Sequence, residues 1–342
     1  MARSTVLAER LSAQLLSNSV AGTVLDVVRR LLAVQAQDPR GARLAIRARS
    51  VGLTARHVDG QLTEERSVVV STLNRGTLHL VRSDDYWWLH RLTTPQLLTS
   101  SARRLAQEKV SAADAERGVK IILKVLSSGP ATREQLRGPI RAAGIRTEGQ
   151  AFAHILLLAA IRGHVVRGPM VATEHAFVLV RDWLGKAPKP MTRDIELGEL
   201  ARRYLAGHGP ASAEDLTRWA GINIGDARRG LAQIASQLVD RADGLAATVN
   251  RSGHAELPPP RLLGAFDPSL LGWRSREPII GTQQGIVTSN GVFRPFAMVR
   301  GRAVATWSLA RGEVAMSPFA TISKPNRSVL DEDAVAVKAF LA

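Results

Sequence analysis

Val24, Val28, Leu31 and Leu32 fall at i, i+4, i+7 and i+8, the apolar stripe of a core-facing helix. The periodicity predicts helices over residues 5–17 and 24–36, separated by the breaker Ala21-Gly22. Gln35 stands four positions after Leu31, so the stripe carries a primary amide towards the interior, where it needs partners. Gln37 follows two positions later. On a helix these amides point nearly opposite ways, whereas on extended chain they share a face. The helix is expected to end here, because Pro39 disfavours the α region at Asp38. Asp38-Pro39 reads as an N-cap followed by the first position of a new helix. Gln35-Ala36-Gln37 then sits at a helix break where both amides can reach one spot. Spacing alone also allows a satisfied buried Gln35, a solvated Gln37 and an Asp38 that only caps.

Downstream, residues 39–50 read as a helix rich in Arg40, Arg43, Arg47 and Arg49, and 54–62 as a short helix. Val68–Leu73, the turn Asn74-Arg75-Gly76 and Thr77–Val81 read as a β-hairpin. Residues 84–109 are expected to be helical, with Trp87 and Trp88 as packing residues. Gly129-Pro130-Ala131-Thr132 and the following residues to Leu136 match Gly209-Pro210-Ala211-Ser212 and the following residues to Leu216. Thr132 with Gln135 forms a capping-box signature, and Ser212 offers the same N-cap. Each copy follows a helix (116–127, 194–206), precedes another (148–161, 224–238) and then meets a β-like segment. Helix, turn, helix and wing, stated twice, predict tandem winged-helix units. The loop near Gly168–His175 is expected either to probe a groove or only to close a sheet.

Lys186–Pro190 reads as a linker. From Pro258 to about residue 322, short apolar runs alternate with Gly and Pro, which predicts a small, mostly β region before a closing helix at 331–341. The fold class is therefore mainly α with β: tandem winged helix-turn-helix units plus a small β-rich C-terminal region. The expected segments are 1–110, 111–186, 187–257 and 258–342.

Composition adds a partner. Lys and Arg number 46 against 30 Asp and Glu, a net charge of +16. Such an excess favours a polyanion, and nucleic acid leads. There is no cysteine, which excludes disulfides, thiolate metal sites and a cysteine nucleophile and suits the cytoplasm, close to the nucleoid. No secretory signal and no run of about 18 apolar residues are visible, so no membrane partner is expected. The histidines show no metal-binding spacing, and P-loop, dinucleotide and serine-elbow motifs are missing. No metal and no cofactor are expected. No heptad or dimerisation helix is visible, so a monomer is expected.

The stretch from Leu31 to Thr54, followed by Leu73–Val81, closely resembles the AlkZ-like DNA glycosylases, a broad bacterial family of winged-helix proteins. The family's catalytic signature is a glutamine, an apolar residue, then a second glutamine or an aspartate. Here it reads Gln35-Ala36-Gln37, so the resemblance implies that Gln35 and Gln37 are catalytic. Phe266-Asp267-Pro268 and Arg294-Pro295-Phe296 resemble motifs of the family's C-terminal region and read as structural turns. The family includes enzymes that undo interstrand crosslinks and bulky adducts made by DNA-alkylating antibiotics.

The amide pair suits one chemical problem. A carboxamide is a poor base, but its carbonyl can hold a water and its NH₂ can donate to substrate. Such a site serves a reaction whose leaving group is already activated. An N7-alkylguanine qualifies, because the cationic ring leaves C1′ with little help. This matches what the resemblance implies: a monofunctional glycosylase acting on N7-alkylpurines in double-stranded DNA, including bulky or crosslinked adducts, for which an open basic channel is expected. Asp38 is expected to cap or to assist. His79 either faces the glutamines or sits in a polar patch. Arg40, Arg43, Arg47, Arg75, Arg82 and Arg167 are the candidate phosphate contacts. The rival readings are a non-catalytic winged-helix regulator and a protein that sequesters an alkylating drug.

Overall fold

The computed structural model describes residues 2–17, 21–171, 174–249 and 255–342. The first stretch runs α1 (Ala2–Ala13), α2 (Val24–Leu31), the two-residue strand β1 (Val34–Gln35), α3 (Pro39–Arg47) and α4 (Ala55–Thr63). The middle runs β2 (Val68–Leu73), β3 (Thr77–Arg82), α5 (Ser83–Thr93), α6 (Leu97–Gln107), α7 (Ala112–Leu126), α8 (Arg133–Ala142), α9 (Ala151–Ile161), β4 (Val165–Val171), β5 (Glu174–Leu179) and α10 (Val180–Leu184). The last stretch holds α11 (Arg193–His208), α12 (Ala213–Ala220), α13 (Ile224–Gln233), β6 (Arg261–Leu263), α14 (Glu277–Ile280), β7 (Phe296–Val299), β8 (Arg302–Ala310), β9 (Glu313–Pro318) and α15 (Lys324–Leu341).

The chain forms two compact units, Met1–Asp59 with Arg193–Ala342, and Gly60–Thr192. These boundaries differ from the four segments expected above. The third winged helix and the β-rich region both join the N-terminal helices, for identifiable reasons. Arg10 of α1 donates to the Pro210 carbonyl and pairs with Asp215 at 2.9 Å. Helix α11 crosses α2 at Gly207, where any Cβ would collide with the Arg30 carbonyl.

The 80-residue repeat is real in three dimensions. Thr132 and Ser212 each open a helix, α8 and α12, through a capping box. Ala131 exchanges both backbone hydrogen bonds with Phe177, at 3.1 and 2.8 Å. Ala211 does the same with Ala246, at 3.0 and 2.9 Å. Each copy thus ties the start of its middle helix to its own wing, β4–β5 in one and the Leu238↔Thr248 bridge in the other. Both helical triads close around apolar cores; Ile122, Leu136, Phe152 and Ile155 are buried in the first.

Within the Gly60–Thr192 unit the strands run antiparallel in the order β3-β2-β4-β5. The C-terminal sheet runs β6-β7-β8-β9. Several expected boundaries move. Residues 84–109 form two helices, α5 and α6, because Pro95 interrupts them. Ile279-Ile280 lies in α14 and not in a strand, and Gly285–Val287 contributes a single bridge, Val287↔Phe293. The closing helix starts seven residues earlier than expected, at Lys324.

Candidate active site

Helix α2 stops sooner than its periodicity suggests. Leu32 takes φ 64°, ψ −47°, a conformation that ends a helix and is rare for a branched side chain. The chain from Ala33 then runs extended, so Gln35 is not on the helical stripe. It lies in β1, 7% exposed and held among buried Ala33, Val34 and Ala36. Gln37 is exposed, and Asp38 is half-buried. The two amides therefore project from an extended link between α2 and α3, one from the protein interior and one at the surface. Asp38 caps α3 in the expected way, accepting from the Gly41 amide, with Pro39 at the first helical position.

The link is fixed by what surrounds α3. Arg49 is fully buried and forms a two-pronged pair with Asp267, 2.9 Å on each side, and also donates to Gln14 Oε1 at 3.0 Å. Gln14 returns a hydrogen bond to the Pro268 carbonyl at 3.1 Å. The turn Phe266-Asp267-Pro268 is thereby locked against α3. Gly41 meets the Ala265 carbonyl so closely that no Cβ could be accommodated there. The sequence carries one signal for this network. Ala42, Ile46 and Arg49 fall at helical spacing in the sequence, and an arginine in line with an apolar stripe requires a buried carboxylate, although α3 itself ends at Arg47.

Two of the candidate phosphate contacts are engaged in ion pairs within the protein. Arg43 is buried, pairs with Asp59 and donates to the Pro39 carbonyl at 2.8 Å. Arg47 pairs with Asp333 and donates to the Leu262 carbonyl at 3.1 Å. Both guanidinium groups are consumed in holding α3 to its neighbours. Arg40 is different: it is exposed at the start of α3, beside Asp38.

The remaining candidates belong to the Gly60–Thr192 unit. Arg75 sits in the hairpin turn at φ 49°. Arg82 is half-buried and pairs with exposed Asp84 at 2.9 Å. Arg167 lies 3.9 Å from the centre of the Phe177 ring. Burial, and then neighbouring Arg133, pull its pKa down to about 10. The tip of the Gly168–His175 loop, at 172–173, lies outside the described residues.

His79 on β3 is 2% exposed. Its Nδ1 lies 3.0 Å from the Thr77 carbonyl, an acceptor, so Nδ1 carries the proton. Burial, and then the charge of Arg75, lower the pKa to about 3. The imidazole is therefore neutral at working pH. Among the described residues no cluster of three or more His, Asp or Glu side chains could hold a metal ion. No described helix is long and apolar enough to cross a membrane.

The family model described as "DNA glycosylase AlkZ-like" matches residues 28–340. A curated protein of Streptomyces sahachiroi, the "Interstrand DNA cross-link repair glycosylase", is 26% identical over 97% of this chain and 94% of its own length. The solved structure of the Streptomyces sahachiroi DNA glycosylase AlkZ superposes with a TM-score of 0.79 at 24% identity, covering 98% of this chain and 96% of that one. The fold described above is that fold.

Proposed function

Because the chain belongs to the AlkZ-like DNA glycosylase family, a class of enzymes acting on N-glycosyl bonds in DNA, we propose that its substrates are N7-alkylated purines, bulky and crosslinked adducts included. The observation that supports this reading is the pair Gln35 and Gln37 on one short link between α2 and α3, Gln35 buried and Gln37 exposed. The relative's name, a crosslink repair glycosylase, supports the bulky end of the range.

In this reading the two carboxamides position a water against C1′ of the damaged nucleotide. Neither has to become charged, because N7 alkylation has already made the purine a cationic leaving group. The bond from C1′ to N9 breaks, its electron pair neutralises the purine, and water adds to the oxocarbenium-like carbon. The water's proton passes to solvent, and an abasic site remains. Asp38 acts through α3: its carboxylate holds the Gly41 amide and so fixes the end of the link that carries Gln37. Arg40, with Arg75, Arg82 and Arg167 on the other unit, supplies phosphate contacts. No lysine and no covalent intermediate take part.

The test uses a duplex with a single N7-methylguanine, free base being measured by chromatography and abasic sites by alkaline strand cleavage. Wild type releases the base. Gln35→Ala and Gln37→Ala each lose up to about 10²-fold in single-turnover rate, the cost of mispositioning a reactant. Duplex binding without base release would overturn the reading in favour of a DNA-binding regulator.

A further inference from the structure

A cavity of about 200 Å³ opens between α3 and the C-terminal sheet, within one unit of the chain. Its walls are Leu44, Phe266, Phe293, Trp307 and Leu309, and its rim carries Asp38, Arg40 and Arg294. The cavity begins at the residue that follows Gln37. Four separate stretches of chain meet to build it, and none of the functional side chains described so far explains why it is kept open.

The walls are arranged for a flat apolar guest. The Phe266 and Phe293 rings are 5.3 Å apart and inclined at 39°, and the Arg276 guanidinium lies 4.9 Å from the centre of the Phe293 ring, so the two rings form a fixed aromatic wall for a further aromatic group. Trp307 is buried, with its Nε1 donating to the Leu263 carbonyl at 2.9 Å, so its polar atom is satisfied and its ring is left as wall. Phe266 takes φ 56°, costly for an aromatic residue. That conformation persists because its neighbour Asp267 is clamped by Arg49. A cavity of about 150 Å³ lined by apolar side chains takes up benzene, so this one has room for a one- or two-ring group. Arg40 and Arg294 are exposed at the rim, and neither forms an ion pair among the described residues. Two cations beside an aromatic slot complement a strand whose phosphates flank an apolar substituent.

We propose that this cavity is a subsite for the aromatic portion of a bulky DNA adduct, held while the glutamines address the sugar of the same nucleotide. The proposal rests on the function argued above. It assigns the adduct's apolar group a binding place of its own, apart from the purine, and so makes aromatic adducts better substrates than small ones.

The test compares two duplexes of one sequence, one carrying N7-methylguanine and the other a guanine whose N7 bears a phenylpropyl group. The readout is the ratio of the two kcat/KM values. Wild type is expected to favour the phenylpropyl lesion by about tenfold or more, the discrimination an apolar pocket supplies. Val292→Trp and Leu309→Trp, which crowd the cavity from two sides, are expected to bring the ratio close to one. A folding defect lowers both rates and leaves the ratio unchanged, so thermal melts of each variant keep that outcome apart. Equal wild-type rates on the two lesions would overturn the subsite while leaving the glycosylase reading intact. So would variants that lose both activities equally while still folded, since the cavity would then hold the base or backbone common to both. Failure to release either base would instead overturn the underlying function.

Discussion

Gln35 is buried and Gln37 exposed, although only Ala36 separates them. That asymmetry suits different tasks: a rigid amide fixed among buried neighbours, and a surface amide able to meet incoming DNA. His79 is a different case, a titratable side chain kept neutral by burial. Its folded pKa of about 3 lies below the ordinary value of 6.5, so the unfolded chain binds the proton first as pH falls. The stability it contributes is complete above pH 6.5 and is lost progressively from there towards pH 3. Urea unfolding at pH 7.5 and pH 5 should show that His79→Gln loses about 2 kcal/mol less than wild type on acidification. The pH–rate profile of base release should contain no step from His79 between pH 5 and 9. Arg49 and Asp267, both 0% exposed at the side chain, give a second prediction. Arg49→Met alone should cost about 3–5 kcal/mol by stranding a buried carboxylate, and Arg49→Met with Asp267→Leu should recover much of it. Denaturant melts of the three proteins check this.

At the scale of elements, the link between α2 and α3 works because both ends are fixed. Leu32 ends α2, Asp38 starts α3, and the Ala265 carbonyl, which leads into the Phe266–Pro268 turn, presses on Gly41. Gly41→Ala has to push that turn away. It is expected to cost about 1–3 kcal/mol and to lower the single-turnover rate of base release, whereas Gly22→Ala, with open space around it, should do neither. Calorimetry and a base-release assay separate the two. The capping box at Thr132 and the N-cap at Ser212 were legible in the sequence, because such signals are local and involve residues three apart. The end of α2 was not legible. No proline or glycine marks Leu32, and its positive φ is imposed by the packing of Leu31, Leu32 and Ala33, all buried. The fates of Arg43, Arg47 and Arg49 were equally hidden, since their partners Asp59, Asp333 and Asp267 stand 16 to 286 residues away.

Over the whole molecule, the excess of positive charge is not spread evenly through the winged helices. Helix α9 contains no Lys or Arg and buries Phe152, Ile155, Leu158 and Ile161, so it cannot read a groove. Helix α13 exposes Arg228, Arg229 and Gln233. A repeated motif therefore carries different surfaces in its two copies, so the sequence repeat reveals architecture and not which copy meets DNA. The net charge of +16 still predicts strong salt dependence. If about 6–10 phosphates are neutralised, duplex affinity should fall roughly 10³–10⁵-fold between about 50 and 200 mM salt, a slope that fluorescence anisotropy measures. The central claim concerns the two glutamines, and single-turnover release of free N7-methylguanine addresses it most directly. The account predicts base release by wild type and a combined Gln35→Ala, Gln37→Ala protein that folds and binds duplex but releases base at least about 10²-fold more slowly. A double variant that releases the base at the wild-type rate would contradict it.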